Sequence, residues 1–282
     1  MSPAALARLR RQNKDGGLVT KVRSRRYAKH LMFRKLIPAL FLILCLLALA
    51  STQSIASTSQ NRNHHEQVPS RAEAKEAEQR LSDMGYWTGP VDGVIDGATR
   101  SALIAFQKME GRKITGRLTR DELEAIRNAA PPQARDVGYS HVEVDVERQV
   151  FMLINDEGAV TRILPVSSGS NKHYNEKGMS GIAYTPRGRF RVYAKASGWK
   201  RSPLGLLYYP NYISDGVAIH GNPDVPPQPK SHGCIRIPMF ASRDVSRMLP
   251  VGTIVLVYDK ESFVSAKDWA EADKLKHVAS AQ

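Results

Sequence analysis

The sequence predicts an α+β multidomain chain, a small three-helix bundle followed by a mainly β domain. Three observations predict it: apolar residues at helical spacing between 72 and 126, the paired prolines Pro131-Pro132 just beyond, and strand-like runs from His141 onward.

The first helix starts at Ala72, where Ala74, Ala77, Leu81 and Met84 recur at three- and four-residue steps, and Gly85 ends it. A turn-rich segment, GYWTGPVDGVIDG, leads to a second helix that begins near Ala98-Thr99 and sets Leu103, Ala105 and Phe106 on or near one face. Thr115-Gly116 breaks the chain again. Thr119 then caps a third helix through Asp121, Glu122, Leu123 and Ile126. Three short helices in about sixty residues bury little surface alone. Ala130 to Gln133 reads as a linker, because paired prolines stiffen a chain.

Beyond it, His141 to Val146 alternates apolar and polar residues, Val150 to Ile154 forms a second strand, and Asn155-Asp156-Glu157-Gly158 turns the chain into Val160 to Val166. Phe190 to Ala194, Val217 to His220 and Thr253 to Tyr258 are further strands. A helix over Ala241 to Leu249 lies between the last two, and Ala266 to His277 reads as a terminal helix.

The net charge of +14 would suggest a nucleic-acid partner if it were spread evenly. Eleven of the 41 basic residues and one of the 27 acids fall within residues 1–50, so the surplus is mostly a property of that segment and no nucleic-acid partner is expected. The segment ends in an apolar run, Leu36 to Ala50, shorter than the roughly 20 residues that span a bilayer and followed by polar sequence from Ser51. Ala48-Leu49-Ala50 supplies a small-x-small cleavage site. A signal peptide is expected, with a single-span anchor as the alternative, and export to the cell envelope either way. Contact with a membrane is expected only through this segment. Residues 51–70 are polar and read as a flexible spacer, in which His64-His65 are simply solvated.

Of the two cysteines, Cys45 lies inside the apolar run, so if the leader is removed one thiol remains, Cys234. A lone thiol can be an inert small hydrophobe. Its neighbours point elsewhere: Ala218-Ile219-His220-Gly221, a proline-rich spacer, then Ser231-His232-Gly233-Cys234-Ile235-Arg236. An ordinary thiol is only a few per cent thiolate at neutral pH and needs a base, which histidine supplies near neutrality. His220 ends a strand that can fix an imidazole, and His232 lies two residues from the thiol. Gly233 permits a tight turn, so the amides of Gly233 and Cys234 can face a developing oxyanion. Arg236 suits a carboxylate; the plainer alternative pairs it with Asp244. A zinc site of His220, His232 and Cys234 would want a fourth ligand or a water, and no further Cys or well-spaced His stands near, so no metal is expected.

These residues resemble the catalytic domain of the L,D-transpeptidases (YkuD type), whose signature is a His, a spacer, then Ser/Thr-His-Gly-Cys followed by an apolar residue and Asn or Arg. Ser167-Ser168-Gly169 and Thr185-Pro186-Arg187-Gly188-Arg189-Phe190 match its upstream landmarks, and the likeness runs from Gly138 to about Asp259, with a shorter spacer than many members carry. Residues 72–129 resemble the peptidoglycan-binding-like domain through Leu81, Gly85-Tyr86, Gly89-Pro90-Val91-Asp92-Gly93, Thr99, Ala102, Phe106-Gln107, Thr115-Gly116, Leu118 and Leu123. The expected domains are therefore 71–130 and 138–259, joined by 131–137 and followed by a helical tail over 260–282.

The resemblance implies a Cys234 nucleophile, His220 as its base with the Gly221 carbonyl orienting the ring, His232 and Gly233 shaping the oxyanion site, and Ser231 and Arg236 meeting substrate. It implies no cofactor and, as partners, peptidoglycan stem peptides and glycan. The expected product is a 3,3 cross-link formed through a thioester. An L,D-carboxypeptidase, a protein-anchoring transpeptidase and a non-catalytic wall-binding scaffold are the alternatives.

Overall fold

The computed structural model describes residues 68–262; the expected signal segment, nearly all of the polar spacer and the terminal helix over Ala266 to His277 lie outside the described residues. Among the described residues no helix is long and apolar enough to cross a membrane.

Helix α1 (Arg71–Asp83) starts at a capping box: the Ser70 hydroxyl accepts from Glu73 N at 3.2 Å while the Glu73 carboxylate accepts from Ser70 N at 2.8 Å. Helix α2 (Gly97–Met109) is capped by Asp96, which accepts from Ala98 N and Thr99 N, and α3 (Arg120–Asn128) by Thr119, which accepts from Glu122 N. The turn between α1 and α2 is held from inside. Buried Glu78 accepts from the amides of Asp92 and Gly93 and from the Thr99 hydroxyl, so its charge is surrounded by donors.

Twelve strands follow. One five-stranded sheet runs β3 (Val160–Pro165), β2 (Val150–Ile154), β1 (His141–Asp145), β12 (Ile254–Tyr258), β6 (Gly188–Arg191). A second runs β11 (Ile235–Pro238), β10 (Val217–Asn222), β9 (Gly205–Ser214), β7 (Ala194–Lys195), with β8 (Trp199–Ser202) also paired to β9. β4 (His173–Glu176) and β5 (Met179–Ile182) form a separate hairpin, and α4 (Met239–Met248) follows β11. Within these pairings only β1–β12 and β10–β11 are parallel. Both larger sheets and α4 build one core, through Val142, Val144, Phe151 and Leu164 on one side and Ile219, Ile235, Ile237, Ala241 and Val245 on the other.

The period of two along β2 and β3 explains how the helices attach. Phe151 and Leu164 join that core, whereas Met152, Ile154 and Ile163 point the opposite way and share a second core with Leu81, Leu103, Phe106 and Ile126 of the helices. The backbone adds to the seam: Ile163 N donates to Gly85 O at 2.7 Å and Trp87 N to Ile163 O at 3.1 Å, so residues 85–87 extend the edge of β3. Gly85 does more than stop a helix. It sits at φ +91°, and a Cβ there would stand 2.8 Å from Val160 O.

Three local features go beyond what the sequence pattern predicts. The run Phe190 to Ala194 is divided between β6 and β7, which belong to different sheets. The polar face of β1 is buried rather than solvated: Glu143 accepts from the amides of Arg135 and Asp136 and from the Tyr258 hydroxyl, and His141 lies against it. Residues just after the paired prolines are thus bonded to the sheet, and Ala134 packs against the helical core.

Ile163 is fully buried in the shared core. Ile163→Ala is expected to cost about 3 kcal/mol of stability, and urea titrations followed by tryptophan fluorescence and by far-ultraviolet dichroism should move together. Two separated transitions would mean that helices and sheets unfold independently.

Candidate active site

A cavity of 540 Å³ opens beside β10, lined by His220, Ser231, His232, Gly233, Cys234 and Arg236, with walls from the β4–β5 hairpin and from β8 and β9. All the sequence-selected residues except Gly221 line it; Gly221 supplies its carbonyl to one that does.

Parallel pairing of β10 with β11 sets Ile219 opposite Ile235 and His220 opposite Arg236, so Cys234, one residue ahead of β11, falls beside the start of β10. The half-buried thiol receives a hydrogen bond from Ala218 N–H and lies 3.7 Å from Gly216 O. Burial raises its pKa, with the Ala218 amide and the Arg236 guanidinium acting in the other direction. His220 is buried, and its Nδ1 lies 2.9 Å from Gly221 O. A carbonyl only accepts, so this bond assigns the proton to Nδ1 and leaves Nε2 bare. Burial pushes the imidazole pKa down to about 4, against the pull of the Gly221 carbonyl and with a further push from Arg236. Near neutral pH the site therefore holds a neutral imidazole and a protonated thiol.

Two glycines are dictated by what stands next to them. A Cβ on Gly221 would sit 2.1 Å from Ser242 Oγ and 2.7 Å from Ser242 Cβ, so α4 closes on this strand only because that side chain is missing. Gly233 has φ +152°, and a Cβ would meet Tyr184 O at 2.9 Å. Its carbonyl accepts from Thr185 Oγ1 at 2.6 Å, and that hydroxyl accepts from Gly169 N at 2.8 Å. Thus the Ser-Ser-Gly and Thr-Pro segments brace the loop that carries the thiol.

Ser231 completes the brace. Its hydroxyl donates to Cys234 O at 2.5 Å and accepts from Gly233 N at 3.0 Å, closing the loop on itself. Two expectations change. The hydroxyl of Ser231, expected to meet substrate, is spent on the loop, and the Gly233 amide, expected among the oxyanion donors, is already committed to it. Arg236 pairs loosely with Asp224, at 3.7 Å, not with Asp244, which pairs with Arg247. His232 Nε2 lies 3.3 Å from Glu176 Oε2, and its ring meets Tyr174 edge to face at 4.9 Å.

Glu176 and Tyr174 were not singled out from the sequence. Their hairpin, β4–β5, is exposed and carries no alternation, but Lys177-Gly178, both at positive φ, is the turn signal that would have found it. Among the described residues no three His, Cys, Asp or Glu side chains are grouped so as to hold a metal ion.

Residues 139–257 match the model of the L,D-transpeptidase catalytic domain, and residues 70–126 match that of a putative peptidoglycan binding domain. The crystal structure of an L,D-transpeptidase (residues 123–326) from Xylanimonas cellulosilytica is 36% identical, with a TM-score of 0.62, over 66% of this chain and 93% of that one. An L,D-transpeptidase from Stackebrandtia nassauensis is 19% identical over 67% of this chain and 93% of that one, with a TM-score of 0.41. No curated protein matches the chain.

The neutral assignment has a kinetic signature. The rate at which iodoacetamide alkylates Cys234 should climb about tenfold per pH unit between roughly pH 6 and 8, following the thiolate fraction. A rate that stays flat down to pH 6 would reveal a preformed thiolate–imidazolium pair. The packing at Gly221 is separately testable: Gly221→Ala should lose about 1–3 kcal/mol by overpacking, and adding Ser242→Gly should recover most of the lost melting temperature. No recovery would place the strain elsewhere.

Proposed function

Because the chain belongs to the L,D-transpeptidase family, with a catalytic domain of that kind behind a peptidoglycan-binding module, we propose that it forms 3,3 cross-links in peptidoglycan through a thioester on Cys234. The observation that carries this reading is that a buried, neutral His220, its Nδ1 held by the Gly221 carbonyl, lines the same cavity as the Cys234 thiol.

Cys234 Sγ attacks the carbonyl carbon of the third residue of a donor tetrapeptide stem while its proton passes to His220 Nε2. The Gly221 carbonyl holds the resulting imidazolium in place, as an acid does in other triads. With the Gly233 amide committed to Ser231, the Cys234 amide, helped by that of His232, is the donor set for the oxyanion. Collapse breaks the peptide bond, and His220 returns the proton to the departing amine of D-Ala. The side-chain amine of a neighbouring stem then gives its proton to His220 and attacks the thioester carbonyl, and the C–S bond breaks as His220 returns that proton to the departing Cys234 sulfur. Arg236 suits a stem carboxylate, since it lines the cavity and its ion pair with Asp224 is long. Glu176 orients His232. Residues 1–50 deliver the chain to the cell envelope, and the helical module holds it on the wall.

Purified wild type incubated with tetrapeptide muropeptides should yield dimers that have lost one D-Ala, read by mass spectrometry, and Cys234→Ala should yield none. Monomers shortened by one D-Ala, with no dimer, would make the chain an L,D-carboxypeptidase; a product bearing a protein amine would make it an anchoring enzyme. Equal turnover by Cys234→Ala would sink the nucleophile assignment, and no product from either would leave a wall-binding scaffold.

A further inference from the structure

Lys108 stands in the last turn of α2, on the helical module, with 5% of its surface exposed. Its ammonium reaches across the seam and donates to two backbone carbonyls of the β domain, Gln149 O and Val166 O, each at 3.0 Å. Among the described residues no carboxylate pairs with it. Burying an unpaired ammonium is costly, and a seam that needed only filling would take a Met or Leu there at no such cost. Burial accordingly draws its pKa down to about 7.

What its two acceptors are attached to gives the cost a reason. Val166 precedes Ser167, whose backbone exchanges N–H···O bonds with Arg236 at 3.1 and 3.0 Å. Gln149 is buried at φ +59°, an unfavourable backbone for a side chain of its size, and its carbonyl takes bonds from both Lys108 and Val166 N. The Gln149 amide group grips Ser168 twice: Oε1 accepts from Ser168 N at 2.8 Å and Nε2 donates to Ser168 Oγ at 2.7 Å. Ser168 O in turn accepts from Lys230 N at 3.0 Å and Ser231 N at 2.9 Å, and the Ser231 hydroxyl closes on Cys234 O. An unbroken series of hydrogen bonds through buried groups thus joins α2 to the residue before the thiol's strand.

From this geometry we propose that Lys108 is a positioning residue for the nucleophile, holding the Gln149–Ser168–Ser231 series in the register that sets Cys234. Lys108 touches neither the thiol nor the cavity; it acts through the two carbonyls. The helical module is then a structural part of the active site as well as a wall anchor. This inference rests on Cys234 being the nucleophile, so its test includes a readout that needs no turnover.

In the full chain, Lys108→Met removes the charge and the two bonds while keeping the length. Met152→Ala loosens the same seam without touching the series and serves as the control. Lys108→Met should slow iodoacetamide alkylation of Cys234 about tenfold and lower kcat on a soluble tetrapeptide donor by a similar factor at nearly constant KM, since small misplacements of a reacting group are expensive. Amide exchange at Ser231 and Gly233 should accelerate with it. Met152→Ala, at a similar loss of melting temperature, should change none of these. The proposal is overturned if both variants affect alkylation in proportion to lost stability, or if neither does. Should Lys108→Met fail to fold, Ser168→Ala decides: it deletes one hydroxyl of the series, and an unchanged alkylation rate rejects the proposal. Wild type that is alkylated as expected yet gives no product would sink the enzyme reading alone.

Discussion

The parallel pairing of β10 with β11 is the constraint on which the site depends. Parallel neighbours cannot be joined by a tight turn, so the chain must leave the end of β10, travel outside the sheet and re-enter alongside. Residues 223–234 make that journey, and the thiol rides on its last residue. A loop that long would wander if left alone. Here Pro223, Pro226, Pro227 and Pro229 restrict its dihedrals, and its returning half is bonded to Ser167, Ser168 and Thr185 from segments far away in sequence. The imidazole, by contrast, needs no loop, since it sits on the strand itself with its ring fixed by the next carbonyl.

Burial then sets the electrostatics. Charge on either the imidazole or the thiol is disfavoured, and Arg236 favours the thiolate while opposing the imidazolium. At rest both groups are therefore neutral, and no charge is separated between them. The same Arg236 contributes to both shifts because the cross-strand register sets it opposite His220.

Much of this was legible in the residues, for identifiable reasons. The three helices announced themselves through period and, for the third, through Thr119 as a cap, and β1 to β3 through alternation and the turn at Asn155 to Gly158, whereas the Asp96 cap emerged only from the structure. The His220 and Cys234 constellation was readable as a motif, and the fold brings both residues to one cavity. What stayed hidden was what depends on distant partners. β4, β5 and β8 are exposed on flanking hairpins and carry no buried face to print a pattern, and the ten-residue β9 contains Pro210. Glu176 beside His232 and Asp224 beside Arg236 are surface carboxylates like any other until the fold brings them in. The shared core was hidden too, since apolar residues on both faces of β2 say that both faces are covered but not by what.

That shared core bears on how the chain comes to be folded after synthesis. Residues 71–128 leave the ribosome before the sheets do, carrying Leu81, Tyr86, Leu103 and Phe106, and the strands that cover part of their apolar surface, β2 and β3, are translated later. The parallel partner of β1 is later still, since β12 lies near the end of the described chain. A nascent chain of this kind cannot bank a finished amino-terminal unit and move on. It carries an uncovered helical surface through much of its elongation, the state in which a holdase chaperone finds its client.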